Sequence, residues 1–264
     1  MTASSASSAP SHSARARSFD AAAAQYAANR PSYPPALLDA LEDLAGRPLA
    51  GARVADIGAG TGIATALLRD RGAHVVAVEP GDGMAAQFRR ALPAVPLVRG
   101  DGNALPLAAA SADVLTYAQS WHWTDPVRSV PEALRVLRPG GALALWWNTD
   151  AGDVPWIAEQ AERVRRFFGT GQASKSGAGG IRTERAFAGA PVVPAHTHRV
   201  VRWSRTVPLD THLANIGSHS IFLVLGEEGA NTFLAEEREH LLKVFPGGLV
   251  EEVYDVELVV ARRP

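Results

Sequence analysis

The chain contains no cysteine. This excludes disulfides, thiolate zinc sites and every mechanism that needs a cysteine nucleophile. It has no surplus of either charge, since 26 basic and 27 acidic residues leave a net charge of −1. No global field therefore draws the chain to nucleic acid or to an anionic membrane surface. No apolar run approaches the ~18 residues of a membrane-spanning helix, and the N-terminal stretch lacks the apolar core of a secretion signal. A soluble, cytoplasmic protein is the expectation. Residues 1–18 hold no acid and are mostly Ser and Ala with Arg15 and Arg17, a composition that reads as a disordered tail.

What is present suffices for one full-sized α/β domain: 264 residues, 47% of them hydrophobic. Its centre is Arg53 to Ile63, R-V-A-D-I-G-A-G-T-G-I. Val54, Ala55 and Ile57 suit a buried strand, and Gly58, Gly60 and Gly62 form a turn in which a side chain would block a ligand pressed against the backbone. A helix over Thr61 to Arg71 follows, its first N–H groups facing that turn. The spacing departs from the dinucleotide fingerprint, whose last glycine falls where Ile63 stands. Asp56 at the strand end would repel a pyrophosphate and could receive the ammonium of a bound amino acid; the bland reading is that it caps the turn.

Upstream, Phe19 to Leu44 carries two helical patterns broken at residues 30–35, the second with an apolar stripe of Leu37, Leu38, Leu41 and Leu44. Tyr26, Arg30 and Tyr33 gather at the break, where a guanidinium and two phenols could close over a carboxylate, or form an ordinary surface turn. Downstream, strands are expected over His74 to Val78, Pro96 to Arg99, Ala112 to Tyr117 and Ala142 to Trp147. Helices are expected over Gly83 to Ala91 and Pro126 to Leu137. That alternation predicts a parallel, doubly wound sheet with ligands beyond the carboxyl ends of its strands.

The loops at those ends carry the candidates. Glu79 stands 17 residues after Gly62, near the offset at which an acid reaches two ribose hydroxyls. Asp101, within G-D-G-N-A-L-P, could accept from an exocyclic amine while a neighbouring backbone N–H meets a ring nitrogen. Taken singly, each acid could equally be solvated or capping. After the fourth strand comes Tyr117 to Pro126, with Trp121, His122 and Trp123 just ahead of an Asp125-Pro126 helix start. His122 could be a general base, could orient an acceptor, or could simply pack in the loop.

Four motifs in this order, D-I-G-A-G-T-G, A-V-E-P, G-D-G-N-A-L-P and L-R-P-G-G at 137–141, resemble the class I S-adenosylmethionine-dependent methyltransferases. The resemblance covers roughly Phe19 to Trp147 and is close to the small-molecule branch with ubiquinone-pathway and trans-aconitate methyltransferase-like enzymes. It implies a Rossmann-like α/β fold: a doubly wound seven-stranded sheet, mostly parallel with an antiparallel last strand, with N-terminal helices over residues 19–50. Residues 51–147 would form the cofactor-binding core, and 148–264 inserted helices and final strands that shape the acceptor pocket. The implied cofactor is S-adenosyl-L-methionine, leaving as S-adenosyl-L-homocysteine. Its expected contacts are Tyr26, Arg30, Asp56, Gly58, Ala59, Gly60, Glu79, Pro80, Asp101, Gly102, Asn103 and Gln119. Tyr33, Trp121, Trp123, Trp147 and His219 are expected to touch a small-molecule acceptor, with His122 as the candidate catalytic group.

Past Trp147, helices are expected over Trp156 to Phe168, Thr211 to Leu225 and Asn231 to Phe245. Strands are expected over Val192 to Val207 and Val250 to Ala261, and a flexible loop over Gly169 to Gly180. His196 and His198 share a strand face, but with no acid cluster beside them they read as solvent-facing, and no metal is expected. His219 faces the acceptor or is a satisfied buried histidine. The competing functions are a nicotinamide-dependent oxidoreductase and a cofactor-binding protein without transfer. A nucleic-acid methylase is weaker, because neither a basic stripe nor an Asn-Pro-Pro-aromatic signature is present.

Overall fold

The computed structural model describes residues 29–169, 186–225 and 227–264. The residue 1–18 tail, Tyr26, the first N-terminal helical pattern and most of the 169–180 loop lie outside them. Helix α1, Pro35–Ala45, leads into β1, Arg53–Ile57, then α2, Ile63–Asp70; β2, His74–Glu79; α3, Asp82–Ala91; and β3, Leu97–Arg99. There follow β4, Ala112–Ala118; a 3₁₀ turn at Trp121–Trp123; α4, Pro126–Val136; and β5, Leu137–Asp150. The remainder is α5, Pro155–Phe168; β6, His196–Pro208; α6, Leu209–Gly217; α7, Ser220–Leu225; α8, Glu227–Val244; and β7, Leu249–Arg262.

One seven-stranded sheet results, in the order β3-β2-β1-β4-β5-β7-β6. The first five strands are parallel, and β7 runs antiparallel between β5 and β6. The chain leaves β1 toward β2 on one side and reaches β4 on the other, so the switch point of the sheet lies beyond the carboxyl ends of β1 and β4. That is where the glycine turn begins.

Each face of the sheet buries its own apolar cluster. Leu37 and Leu41 of α1 and Leu68 of α2 cover Val54, Val114, Ala144 and Trp146. Val130, Ala133 and Val136 of α4 cover Ile57, Leu115, Tyr117 and Trp147. A fully enclosed leucine such as Leu68 contributes about 1.5–3 kcal/mol relative to exposure. Beyond the carboxyl edge, α5–α8 enclose a third cluster around Leu213, Phe222, Phe233 and Leu241. Since Asp150 pairs with Tyr254, the start of β7 and the end of β6 extend past the parallel strands as a ribbon under those helices.

Boundaries differ from the sequence reading where backbone chemistry intervenes. Helix α2 begins after Gly62, whose φ of 94° is left-handed. Strand β6 begins at His196 rather than Val192, because Pro191 and Pro194 cannot donate to a ladder. Thr211 to Leu225 is two helices: the Ser218 hydroxyl donates to the Asn215 carbonyl and closes α6, so His219 sits at the break rather than within a helix. Strand β5 starts at Leu137, its pairing with β4 shifting between Ala112–Leu137 and Val114–Ala142. Among the described residues no helix is long and apolar enough to cross a membrane.

Candidate cofactor and acceptor site

The three glycines serve different ends. A Cβ on Gly58 would lie 2.5 Å from Ser120 Cβ, and one on Gly62 would lie 2.7 Å from Leu92, the residue just past α3, so both allow protein to pack against protein. A Cβ on Gly60 would meet nothing within 4 Å, yet its φ is +58°. Gly60 therefore bends the turn around open space. Ala59, with its N–H donating to the Val78 carbonyl, is packed against α3 through Phe88 and Leu92.

Glu79 ends β2 at the same turn. Its Oε2 accepts from the Gly60 N–H at 2.8 Å and its Oε1 from the Gly81 N–H at 2.7 Å, which ties the glycine turn to the start of α3. Pro80 beside it is exposed, with its carbonyl accepting from Arg99. Thr61 is buried at 6% exposure and its hydroxyl has no partner among the described residues. Asp101 is exposed and its Oδ1 accepts from the backbone and side-chain amides of Asn103, each at 2.9 Å. Asn103 also accepts from the Asp125 N–H at 2.7 Å, and the Gly102 carbonyl faces the Tyr117 hydroxyl at 3.3 Å. The loop after β3 is thereby locked to the α4 start.

Asp56 requires a correction. It is 0% exposed beneath α2, with Oδ2 accepting from the Thr65 hydroxyl at 2.6 Å and Oδ1 from that of Thr116 at 2.8 Å. Burial pushes its carboxyl above the usual range, against the pull of those two bonds. It is the floor under the glycine turn and offers no surface to an ammonium.

At the end of β4, Gln119 holds a φ of +57°, an unusual conformation for a residue with a side chain. Its Nε2 donates to the Asn148 carbonyl at 3.2 Å. Ser120 donates to the Ile57 carbonyl at 2.6 Å and so joins β4 to β1 at the switch point. Three aromatic residues expected at the acceptor are core instead. Trp121 is 3% exposed, stands edge-on to Tyr117 and donates to the Ala186 carbonyl at 2.6 Å. Tyr33 is 9% exposed, edge-on to Trp146, and Trp147 is 1% exposed. Large rings gain more from burial than from lining a wet pocket.

His122, by contrast, is exposed. Its ring lies 4.8 Å from that of the partly buried Trp123, tilted by 45°, and its Nδ1 stands 3.3 Å from the Trp147 indole nitrogen. Asn148, which the sequence reading did not single out, is a junction. Its Nδ2 donates to the Ser32 carbonyl at 3.1 Å and its Oδ1 accepts from Trp203 at 3.1 Å. Arg30 reaches the α6 end, donating to the Ser218 carbonyl at 3.4 Å, one residue before His219. The structure thus gathers Gly58, Gly60, Glu79, Asp101, Gln119 and His122 along the carboxyl edge, and draws Arg30 and His219 into the helical cap.

These carboxyl-edge loops fit S-adenosylmethionine on grounds internal to the fold. Open space follows Gly60, a buried hydroxyl at Thr61 has no partner among the described residues, and acids end β2 and follow β3. Among the described residues no cluster of His, Asp or Glu could hold a metal ion. His198 instead pairs with Glu257 at 3.1 Å, and His196 with the Pro194 carbonyl at 2.9 Å.

Residues 55–145 match a family model described as a methyltransferase domain. An uncharacterized methyltransferase of Mycobacterium tuberculosis is 45% identical over 149 residues, 56% of this chain and 59% of that protein. A demethylmenaquinone methyltransferase of Beutenbergia cavernae is 38% identical over 122 residues, 46% of this chain and 49% of its own length. A solved structure from Anaeromyxobacter dehalogenans, provisionally assigned as a type II methyltransferase, superposes with a TM-score of 0.66 at 24% identity. It covers 88% of this chain and 97% of that one. The sheet is that of the class I methyltransferases. The family match lies at the centre of the chain, and the chain spans little more than half the length of the curated relatives it matches.

Proposed function

We propose that the protein transfers the sulfonium methyl of S-adenosylmethionine to an oxygen, nitrogen or carbon atom of a small molecule. The observation that carries this is the pairing of Glu79 with the Gly60 turn: an acid at the end of β2 holds a turn whose one open glycine borders free space. When bound, the donor supplies an already activated methyl group. The chain's task is then alignment and exclusion of water. Glu79 accepts the ribose hydroxyls, since an ionised carboxylate has about four acceptor sites. Thr61 and the turn hold the amino-acid end, and Asp101 with the adjoining amides holds the adenine. The α5–α8 cap closes the acceptor side, and the name of the demethylmenaquinone relative supports a small acceptor.

Calorimetric titration with S-adenosylhomocysteine tests this, paired with Glu79→Gln. The wild type should bind, and the variant, still folded, should bind about 10- to 100-fold more weakly, as expected for losing hydrogen bonds to a charged group worth about 1.5–3 kcal/mol. Equal affinity would remove Glu79 from the site. A screen of metabolite fractions with radiolabelled donor then seeks the acceptor. Tight binding with no transfer to any fraction would favour a binding protein instead.

A further inference from the structure

The contact between Trp147 and His122 decides what the histidine does. An indole N–H can only donate, so at 3.3 Å the Nδ1 of His122 is the acceptor and carries no proton. In the neutral ring the proton then sits on Nε2. Trp147 cannot easily yield this geometry: it is 1% exposed, packed in the cluster under α4, and held in register opposite Glu257 by the ladder with β7. Leaving a buried indole N–H without a partner costs its desolvation, and a second proton on Nδ1 would set two donors against each other. The Trp123 ring, 4.8 Å away and tilted 45° to the imidazole, packs against it as well.

We infer that Trp147 is a positioning residue that locks His122 in the Nε2–H tautomer, making His122 a hydrogen-bond donor to the acceptor rather than a general base. The inference rests on the methyl-transfer reading and deepens it by naming the acceptor chemistry. The group that meets His122 is a hydrogen-bond-accepting oxygen, carbonyl or anionic. A lone pair or carbanion of the acceptor forms the new bond to the methyl carbon as the carbon–sulfur bond breaks and its electron pair returns to sulfur. Any proton the acceptor sheds is lost to bulk solvent outside the closed site, and not to the imidazole.

Long-range proton–nitrogen NMR of the full chain labelled with ¹⁵N-histidine reads the tautomer directly, with His122→Gln identifying its resonances. At about pH 7.5, above the ordinary imidazole range, the Nε2–H pattern is expected. An Nδ1–H or doubly protonated pattern overturns the proposal. In Trp147→Phe the preference should fall toward a mixture of the two tautomers, and an unchanged Nε2–H signal would overturn the role of Trp147. Should that variant fail to fold, the wild-type spectrum still decides the tautomer. Titration with S-adenosylhomocysteine is read separately: if it fails while the Nε2–H tautomer stands, the methyl-transfer reading falls and the histidine assignment does not.

Discussion

The parallel strands β1–β5 and the cap built from β6, β7 and α5–α8 are held together by different chemistry. Beneath the glycine turn the core encloses one carboxyl completely, Asp56, and satisfies it with two neutral hydroxyls, while its other buried acids, Glu79 and Asp113, keep 6% and 8% exposure. The cap buries a chain of charge. Arg205 pairs with Glu252 at 2.6 Å, and Glu252 with His212 Nδ1 at 2.7 Å. His212 Nε2 meets Gln160 at 3.0 Å, Gln160 donates to Glu237 at 2.9 Å, and Glu237 takes two bonds from Arg163 at 2.6 and 2.7 Å. Glu237 is 1% exposed and Glu252 is 2% exposed. Such a chain is geometrically demanding, so it fixes how five elements, α5, β6, α6, α8 and β7, meet rather than adding much net stability.

The largest effect should come from breaking that chain. Burial alone would push the Glu252 carboxyl up, but the bonds from His212 and Arg205 outweigh it and hold the group below its usual range. Glu252→Ala strands Arg205 and His212 together and should cost about 3–5 kcal/mol, read from urea unfolding. Because its folded pKa is lowered, Glu252 contributes stability that is present above the ordinary glutamate value and lost as pH falls through the folded one. The wild-type and variant curves should therefore converge in acid. A loss below about 1 kcal/mol at neutral pH would mean that the cap does not depend on its charges.

This difference also explains what could be read before the fold was known. Strands β1–β4 announce themselves through local patterns, Val54-Ala55-Asp56-Ile57 followed by glycines and His74 to Val78 followed by Glu79, and their boundaries fall within a residue of expectation, whereas β5 runs well past the expected Ala142 to Trp147 at both ends. The cap's determinants are pairs such as Arg163–Glu237, 74 residues apart, and Arg205–Glu252, 47 apart, which no local period reveals. Aromatic residues mislead for a related reason. Trp121, Trp123 and Trp147 look alike in sequence, yet only Trp123 keeps partial exposure beside His122. Asn148 went unnoticed because its importance lies in three partners from distant segments.

Within the core, the glycines separate binding from stability. Gly60→Val puts a branched side chain at φ +58°, a strain of about 1–2 kcal/mol, into space that the surrounding protein leaves open. The fold should survive with a modestly lowered unfolding midpoint, while S-adenosylhomocysteine affinity should disappear in calorimetry. Retained affinity would show that the open side of Gly60 is not where the cofactor lies.

The smallest effect is expected at Asp56, where the core should behave oppositely to Glu252. Its folded pKa is raised, chiefly by burial, above the ordinary value of 3.8. The stability linked to it is therefore fully present below that value and is lost as pH rises through the folded pKa. Asn has the same shape and no charge, and its amide can donate to one threonine oxygen while its carbonyl accepts from the other. In Asp56→Asn the unfolding midpoint should match the wild type near pH 3.5 and exceed it at pH 7. Measured across that range, the difference should grow with pH, whereas that for Glu252→Ala should grow in the destabilising direction. A variant markedly less stable than the wild type at pH 7, but equal to it in acid, would mean that Asp56 is a stabilised anion with a cationic partner, and the contrast between core and cap would fail.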